Sequence, residues 1–482
     1  MAVTVVVWNV QTFGDARPAA RGANYAPICR FMAQALYEVS ADVLIMMELR
    51  RGGAQYLPTL QAALMAQSGA AADVWDYDYI PGSVTTRGYP NDPDDLDFTQ
   101  TGHSEGYAVL WRDNHPEFTV LDTPDALSHN IVNGQSKIGL VLEGRSAQPN
   151  VPNPYWFAAP NFVPPPPPWR RLEFPEPNPI HAGDTRWNLC RRPCCVVLDL
   201  NRPGAGVPRE QELLPIVVHH ATNNPRRSTP WSVQSAAYSA QLYQVDDTTQ
   251  AAPTMVDVAQ ALAAGDFNID RNVDAEAYGY FTRGFTAGGA NNGGANLPTT
   301  WADSANAPDN HTAIRLSRWR GPHQPPVPIT DANVDAYRWL AIDNLFIRNL
   351  ATVNPPANYH GPVYNILSGL LHHGFLVNPL AKRAAIRAFR TAILTALGPP
   401  LVGGGYTNYP FIDPANNTPC RTRRRKRGGG FSYYSPVISN LRNFTYYMAD
   451  LQRGYFRTPR RAAEFYVNSI SDHLPLVYRF TV

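Results

Sequence analysis

Two short motifs carry the polar groups with the clearest catalytic potential. Gly265-Asp266-Phe267-Asn268 follows an apolar run, and Ser471-Asp472-His473 directly precedes one. A tight turn in the first motif would project a carboxylate and an amide into one place, and the second motif sets an acid beside an imidazole. Either motif alone is also typical of an ordinary turn. Their value depends on what other polar residues the fold brings to them.

Further polar residues stand where apolar runs end. Asn9 and Glu48 follow runs that begin at Val3 and Asp42, and the pair His219-His220 follows a third run. Strand ends at one edge of a sheet are where binding sites collect. Amide and carboxylate oxygens suit Mg²⁺ or Mn²⁺, and imidazoles with a pKa of about 6.5 can share acid and base work at neutral pH. These positions therefore predict a hydrolytic metal site at a sheet edge.

The hydrophobic pattern predicts the elements that would position these residues. Short β-branched and apolar runs predict strands at Val3–Val7, Asp42–Met47, Tyr107–Trp111, Cys194–Leu200, Pro215–His220, Ala261–Gly265, Leu340–Ile347 and Leu474–Phe480. Helical spacing of apolar residues predicts helices at Ala26–Val39, Ala54–Met65 and Pro379–Leu397. Strands that outnumber the helices between them indicate an α+β or layered α/β fold.

The ordered set of motifs resembles the endonuclease/exonuclease/phosphatase superfamily. That family has an Asn after its first strand, a Glu after its second, a central His, then a GDFN motif and a closing SDH motif. This chain has all five in that order, from Asn9 to His473. The resemblance implies a metal-dependent phosphodiesterase with an α+β fold, in which two packed mixed sheets form a four-layer α/β/β/α sandwich. We expect a single domain over residues 1–482.

Within the superfamily, the chain looks most similar to deoxyribonuclease I and to the nuclease subunit of cytolethal distending toxins. The segments that carry this likeness are Glu105–Arg112, Arg191-Arg192-Pro193 and His220-Ala221-Thr222. The likeness implies DNA as substrate, a monomeric enzyme, and a bacterial toxin or effector with an immunity or inhibitor protein as partner. His219 stands where the family has an apolar residue, which leaves open whether it or His220 is catalytic. His103 stands where deoxyribonuclease I has a DNA-stacking tyrosine, which leaves that contact in question.

The resemblance also implies a role for each site residue. His473 would pair with Asp343 and His220 with Glu105, so that two imidazoles share the proton transfers. Asp266 and Asn268 would orient the attacking water and the phosphate, and Arg191 would clamp the phosphate. The implied metal ligands are Asn9, Glu48 and Asp472, with Mg²⁺ or Mn²⁺ as the cofactor.

Two stretches are expected to be insertions into this fold. Residues 113–190 are Pro-rich and contain the run Pro164–Pro168, and residues 350–465 combine a helix with the basic run Arg421–Arg427. The basic run fits DNA contacts, a nuclear address or a solvated loop. Its role stays open at this stage.

Composition bears on the expected cellular compartment but does not identify the substrate. The net charge is +2 and there are five cysteines, so the sequence has neither a strong nucleic-acid footprint nor a disulfide framework. The N-terminal MAVTVVVWNV lacks the features of a secretory signal, and no apolar run is long enough for a membrane span. We expect a reducing compartment, as for a cytoplasmic protein or a delivered effector.

Other functions remain open from the sequence. Members of the superfamily also hydrolyse RNA, inositol phosphates and sphingomyelin, so the fold does not settle the substrate. The segment Leu340–Asn344 differs from the Trp-Cys-Asp-Arg segment of inositol phosphatases, while Tyr155–Phe162 has the aromatics of a lipid-contacting hairpin. A non-catalytic scaffold is a further alternative, and the intact set of site residues counts against it.

Overall fold

A computed structural model describes the protein over most of its predicted elements. The described residues are 2–14, 25–50, 53–67, 73–80, 105–122, 137–140, 193–202, 206–221, 244–247, 249, 254–270, 311–318, 326–350, 363–372, 378–397, 399, 412–413, 418–419, 422–425, 431–434 and 448–482. The expected polyproline run and the aromatic segment 155–162 lie outside them.

The elements are numbered along the chain. The strands are β1 Ala2–Phe13, β2 Val43–Arg50, β3 Trp75–Ile80, β4 Glu105–Arg112, β5 Phe118–Val120, β6 Gly139–Leu140, β7 Cys194–Leu200, β8 Leu213–His220, β9 Gln244–Asp247, β10 Thr254–Asp257, β11 Ala261–Asp266, β12 Ala313–Ile314, β13 Ser317–Arg318, β14 Val327–Pro328, β15 Arg338–Leu340, β16 Asp343–Arg348, β17 Ile412–Asp413, β18 Thr418–Pro419, β19 Thr422–Arg425, β20 Phe431–Tyr434 and β21 Leu476–Thr481. The α-helices are α1 Ala26–Glu38, α2 Leu57–Met65, α3 Arg209–Glu212, α4 Ile366–Leu370, α5 Pro379–Leu397 and α6 Pro459–Ser469. Short 3₁₀ helices occupy Gly53–Tyr56 and Val334–Tyr337.

Two mixed sheets form the centre of the molecule and share one pattern of strand pairing. The first has the order β21-β1-β2-β4-β3, and the second has the order β16-β11-β8-β7-β5, with β6 also paired to β7. In the first sheet β1 and β2 are parallel, in the second β8 and β11 are parallel, and the other neighbours in both are antiparallel. The expected α+β architecture of two mixed sheets is confirmed.

The two sheets pack against each other through corresponding strands. Strand β1 contacts β11, β2 contacts β8, and β21 contacts β16. Every residue of β8 is buried, so consecutive side chains such as Ile216 and Val217 meet protein on both faces of their sheet. This explains why the sequence of β8 is an unbroken apolar run until its last two residues, which are histidines.

Helices α1, α5 and α6 join around three phenylalanines. Phe31, Phe389 and Phe465 contact one another edge to face, with ring centroids 4.8 to 6.3 Å apart. Helix α2 contacts both α1 and β3. Among the described helices, none combines the length and the apolar character needed to cross a membrane.

A buried charged network ties α5 to α1. The ammonium of Lys382 lies 2.8 Å from Oε2 of Glu38, and the hydroxyl of Tyr364 donates to the same oxygen at 2.7 Å. Both charged side chains are almost completely buried. Burial lowers the pKa of Lys382, and the neighbouring carboxylate of Glu38 partly opposes that effect. The network fixes the position of α5, because a slip of one residue would leave two buried charges without partners.

Some of the residues expected to form insertions belong to the fold described above. Strands β5 and β6 lie within 113–190 and pair with β7. Helices α4 and α5 lie within 350–465, and α5 contacts α1. In the basic run, the backbone of β19 pairs with β20, so this segment is part of a strand pair rather than only a loop.

Candidate active site

The candidate site lies where the parallel strand pairs of the two sheets end. Asn9 and Met47 are neighbours across β1 and β2, and Asp266 and His220 are neighbours across β11 and β8. The carboxyl ends of parallel neighbours meet at one edge of a sheet, and β1 and β2 contact β11 and β8 across the interface. The repeated pairing pattern therefore brings the polar ends of four strands into one place.

Asn9 joins the two sheets at this point. Its Nδ2 donates to Oε1 of Glu48 on the first sheet and to Oδ2 of Asp266 on the second, both at 3.0 Å. Its Oδ1 accepts from the backbone N–H of Gln11 at 3.0 Å. The amide of Asn9 thus holds two carboxylates close together in a buried environment.

Backbone irregularities aim the two carboxylate-bearing segments. The pairing of β1 with β2 shifts register beyond Asn9, and the pairing of β2 with β4 shifts between Met47 and Leu49. Glu48, at the β2 irregularity, has φ of 63°, in the left-handed region. For a residue other than glycine that conformation costs about 1 kcal/mol or more, and such strain collects at functional sites.

The Gly-Asp-Phe-Asn motif spans the end of β11 and the bend that follows it, and the chain packs so closely at Gly265 that only glycine fits there. Gly265 has φ of +147°, and a Cβ built there would lie 1.8 Å from the carbonyl oxygen of His219. The Oδ1 of Asp266 accepts from the backbone N–H of Asn268 at 2.9 Å, and Nδ2 of Asn268 donates to the carbonyl of Ala221 at 2.8 Å. Asp266 is thereby fixed, with its other oxygen directed at Asn9.

His473 pairs with Asp343, as the resemblance implied. Its Nδ1 lies 2.7 Å from Oδ2 of Asp343, and its Nε2 lies 3.8 Å from Oδ2 of Asp266 and 3.7 Å from Oδ1 of Asp472. A carboxylate at Nδ1 selects the tautomer that carries the proton there and leaves Nε2 to exchange protons with the site.

The backbone of His473 is held by three side chains. The carbonyl accepts from the hydroxyl of Tyr466 at 2.7 Å and from the indole N–H of Trp8 at 3.3 Å. Its N–H donates to Oγ of Ser471 at 3.0 Å, and that hydroxyl donates to the carbonyl of Asn9 at 2.6 Å. These contacts lock the SDH loop onto β1 and α6, so the imidazole is positioned before any substrate binds.

The structure distinguishes the two adjacent histidines. Nε2 of His220 lies 3.4 Å from Oε1 of Glu48 and 3.5 Å from Oδ2 of Asp266. Its backbone N–H donates to the hydroxyl of Tyr107 at 3.0 Å. Consecutive side chains of a strand point to opposite faces, and His219 is buried with its ring centroid 6.3 Å from that of Phe267. His220 is therefore the histidine that reaches the site.

Electrostatics at the site follow from burial and proximity. Burial raises the pKa of Asp266 to about 8, and nearby Asp343 and Glu48 add to the rise, while His473 and the N–H of Asn268 oppose it. Burial alone would lower the pKa of His473, but Asp343, Asp266 and Asp472 outweigh it and raise that pKa well above its ordinary value. Burial thus favours the neutral form of Asp266, and the three carboxylates favour the charged form of His473.

The donor set fits a hard divalent cation. Two overlapping groups of side chains have ligand atoms within 4.8 Å of one another: Glu48, His220 and Asp266 form one, and Asp266, Asp343 and His473 form the other. Among the described residues, no lysine or arginine pairs with Asp266 or Asp343. Buried carboxylates with so little positive charge beside them suit Mg²⁺ or Mn²⁺.

Not every expected site residue joins these groups. Of the expected metal ligands, Glu48 is a member, while Asn9 turns its amide nitrogen toward the carboxylates and Asp472 accepts from Nε2 of Gln11 at 2.7 Å. Sequence reasoning missed Gln11 and Tyr107. Gln11 stands two residues after Asn9, a spacing typical of side chains on one strand face.

Three expected contacts cannot be placed. Arg191 and His103 lie outside the described residues, and the side chain of Glu105, on β4, is also outside them. The expected pairing of His220 with Glu105 and the expected phosphate clamp therefore stay predictions.

Comparisons with known proteins identify solved structures of the expected superfamily. No family model and no curated protein matches this sequence. An endonuclease/exonuclease/phosphatase family protein from Bacteroides thetaiotaomicron is 11% identical, with a TM-score of 0.35, over 100% of this chain and 98% of that chain. A mannosyl-6-phosphatase from the same organism is 12% identical, with a TM-score of 0.35, over 100% of both chains.

A third similar structure is a humanized D. rerio TDP2. It is 9% identical to this chain, with a TM-score of 0.34, and covers 100% of this chain and 99% of that one. At TM-scores of this size the likeness carries no argument about the site, so the chemistry rests on this chain's own residues.

Proposed function

We propose that this chain is a metal-dependent phosphodiesterase of the endonuclease/exonuclease/phosphatase superfamily, and that its substrate is DNA. One observation carries the proposal. Asn9 brings the Glu48 and Asp266 carboxylates together, and the His473–Asp343 pair faces the same Asp266 oxygen. Carboxylates for a cation and an oriented imidazole for proton transfer are the groups that phosphodiester hydrolysis needs.

Each residue can be given a task. A bound Mg²⁺ or Mn²⁺ would neutralise charge on the phosphate, with the carboxylate of Glu48 as its first candidate ligand. The imidazole of His220, whose Nε2 lies 3.4 Å from Oε1 of Glu48, would share the proton transfers. The raised pKa of His473 keeps it protonated near neutral pH, so its Nε2 can donate to a phosphate oxygen or to the leaving oxygen. Asp343 holds this imidazole in place and stabilises its charged form.

Asp266 is the candidate proton acceptor. Burial raises the pKa of Asp266, and a cation beside it would favour the ionised carboxylate, which is the form that can accept a proton from an attacking water. The N–H of Asn268 and the amide of Asn9 fix its two oxygens, so only small motions would accompany the transfer. Burial of the cluster excludes bulk water, which strengthens these electrostatic effects.

The choice of DNA rests on the motifs that resemble deoxyribonuclease I and the nuclease subunit of cytolethal distending toxins. These are the segments Glu105–Arg112, Arg191-Arg192-Pro193 and His220-Ala221-Thr222. The third of these also supports the proposal that the protein is a delivered toxin or effector.

A substrate panel tests this proposal. Purified protein is incubated with supercoiled plasmid, single-stranded RNA, sphingomyelin vesicles and inositol phosphates, each with Mg²⁺ and with EDTA. We expect Mg²⁺-dependent plasmid nicking and little turnover of the other substrates. Phosphocholine or phosphate release without nicking would replace DNA by a lipid or inositol substrate, and RNA cleavage alone would make the protein a ribonuclease. No turnover of any substrate by folded protein would contradict the enzymatic function itself.

A further inference from the structure

A short segment connects the catalytic histidine to its carboxylate partner. Residues 311–316 run between the SDH loop and the chain that leads to Asp343. The N–H of Ile314 donates to the carbonyl of Asp472 at 2.7 Å, and the N–H of Leu474 donates to the carbonyl of Thr312 at 2.9 Å. On the other side, the N–H of Asp343 donates to Oγ1 of Thr312 at 3.1 Å. Side chains on this segment are therefore held at fixed distances from His473.

One exposed aromatic side chain lies on the strand beside this segment. Trp339 stands on β15, which pairs with β12, and its side chain is 38% exposed. The other tryptophans of the described residues, Trp8, Trp75 and Trp111, are all buried. Trp339 is therefore the exception among the tryptophans of the described residues, because it alone exposes its ring.

An arginine with unused hydrogen-bonding capacity covers this ring. The Cζ of Arg315 lies 4.8 Å from the centroid of Trp339, and its backbone N–H donates to the carbonyl of Tyr337 at 2.8 Å. Among the described residues no carboxylate pairs with Arg315, and its buried Nε has no hydrogen-bond partner there. The buried Nε is closed to a ligand, so a phosphate would bind the two terminal nitrogens of the guanidinium.

The surroundings of Arg315 add positive charge. Burial lowers the pKa of Arg315, and the nearby guanidinium of Arg318 lowers it further. Arg318 makes one ion pair, with Asp331 at 3.1 Å, and both of those side chains are more than half exposed. Such an exposed pair is weak, so this face of the molecule offers cationic groups to an anionic partner.

Trp339 and Arg315 lie where the nucleotide next to the reacting phosphate would bind. Ala313 bridges to His473, and Arg315 follows two residues later, at about 3.3 Å per residue along an extended chain. The backbone of Arg315 therefore lies within about 10 Å of the backbone of His473. In a nucleic-acid substrate, the nucleotide next to the scissile phosphate would lie at this distance from His473.

We propose that Trp339 and Arg315 form a docking surface for the nucleotide adjoining the scissile phosphate, with an unpaired base on the part of the indole that Arg315 leaves exposed and a phosphate on the guanidinium. This inference rests on the proposed nuclease function and narrows its substrate to strands that are single, frayed or opened at that nucleotide. A base inside a duplex is stacked on its neighbours and cannot present its face to an indole. Aromatic stacking with an adjacent cation is the recurring way in which proteins bind single strands.

The test measures binding and turnover separately. A fluorescein-labelled single-stranded oligonucleotide is titrated in EDTA with wild-type protein, Trp339→Ala, Trp339→Phe and the control Tyr37→Ala, which removes an exposed aromatic from α1. We expect Trp339→Ala to weaken binding about fivefold or more, Trp339→Phe to restore most of it, and the control to bind as wild type does. Arg315→Ala should reduce the slope of the logarithm of the binding constant against the logarithm of salt concentration by about 1, as expected for the loss of one phosphate contact.

Kinetics distinguish failure of this inference from failure of the nuclease assignment. With Mg²⁺, Trp339→Ala should raise KM for the oligonucleotide relative to KM for methyl p-nitrophenyl phosphate about fivefold or more. Equal binding by wild type and Trp339→Ala would overturn the docking surface, even if plasmid is cleaved. An effect of Trp339→Ala on binding in a protein that cleaves no nucleic acid would keep the surface and overturn the substrate assignment. Equal losses with both substrates would mean that Trp339 only supports the fold.

Discussion

The Nδ1 atom of His473 lies 2.7 Å from Oδ2 of Asp343, although 130 residues separate them in the sequence. His473 precedes β21, at one edge of the first sheet, and Asp343 begins β16, at one edge of the second sheet. The contact between β21 and β16 brings them together. Packing of the two sheets therefore assembles the pair that the proposed chemistry requires.

Asp343→Asn tests the importance of this pairing. The substitution keeps the size of the side chain but removes the charge that stabilises the protonated imidazole, so we expect kcat to fall about 100-fold or more. Rates are measured on plasmid at saturating Mg²⁺, with Asp331→Asn as the exposed control. A rate within threefold of wild type would show that the pairing is dispensable.

Glu48→Gln tests the metal site. The amide can still accept from Asn9, but it lacks the charge that attracts a cation, so the Mg²⁺ concentration for half-maximal rate should rise about 10-fold or more. The same Mg²⁺ titration on Asp331→Asn should match wild type. An unchanged Mg²⁺ requirement in Glu48→Gln would remove Glu48 from the candidate ligands.

Gly265→Ala tests the close strand packing that positions Asp266. The added Cβ would meet the backbone of His219, so the free energy of unfolding should fall by about 3 kcal/mol or more. Gly206→Ala is the matched control, since Gly206 also has positive φ, +94°, but a Cβ there would meet nothing within 4 Å. It should cost about 1 kcal/mol. Urea unfolding measures both, and similar losses would mean that close packing at Gly265 is unimportant.

Lys382→Met tests the buried network between α1 and α5. The variant leaves the buried Glu38 carboxylate without its cation, so unfolding should become easier by about 3 to 5 kcal/mol. Arg460→Ala, which breaks the exposed pair with Glu464 on α6, should cost about 0.5 kcal/mol or less. If the two variants unfold at the same urea concentration, the network does not hold α5 in place.

Buried thiols offer a test of the core. Cys29, Cys194 and Cys195 are buried, and burial raises the pKa of all three thiols, that of Cys29 to about 12. In a Cys190→Ser/Cys420→Ser variant, we expect no reaction with a thiol-specific disulfide reagent at pH 8, because thiolate is the reactive form. Denaturant should expose all three. Rapid reaction of the folded variant would contradict the packing of α1 and β7.

Apolar runs predicted much of the fold, because buried strands and helices leave strong patterns. The predicted bounds of β7 and α5 match the structure. Strand β3 was missed, since WDYDYI mixes acids with aromatics on a strand with partly exposed positions. Helix α6 was missed although its start is marked, with Thr458 accepting from the N–H of Arg461 and proline following.

The motifs predicted which residues gather at the site, but not how they are joined. The link from Asn9 to Asp266 depends on how the sheets pack, and the direction of Glu48 depends on a left-handed backbone at a strand irregularity. Neither has a local sequence signal that outweighs ordinary strand propensity. The resemblance already favoured His220 over His219, and the register of β8 with β11 places His220 beside Asp266.

Nicking of supercoiled plasmid by wild type, His473→Ala and His372→Ala tests whether His473 is required for a metal-dependent nuclease reaction. His372 is an exposed histidine outside the proposed site. Thermal unfolding first establishes that the three proteins are equally stable, and nicking is then measured with Mg²⁺ and with EDTA. We expect Mg²⁺-dependent nicking that is retained in His372→Ala and reduced about 100-fold or more in His473→Ala. Nicking by a folded His473→Ala protein at the wild-type rate would contradict this expectation.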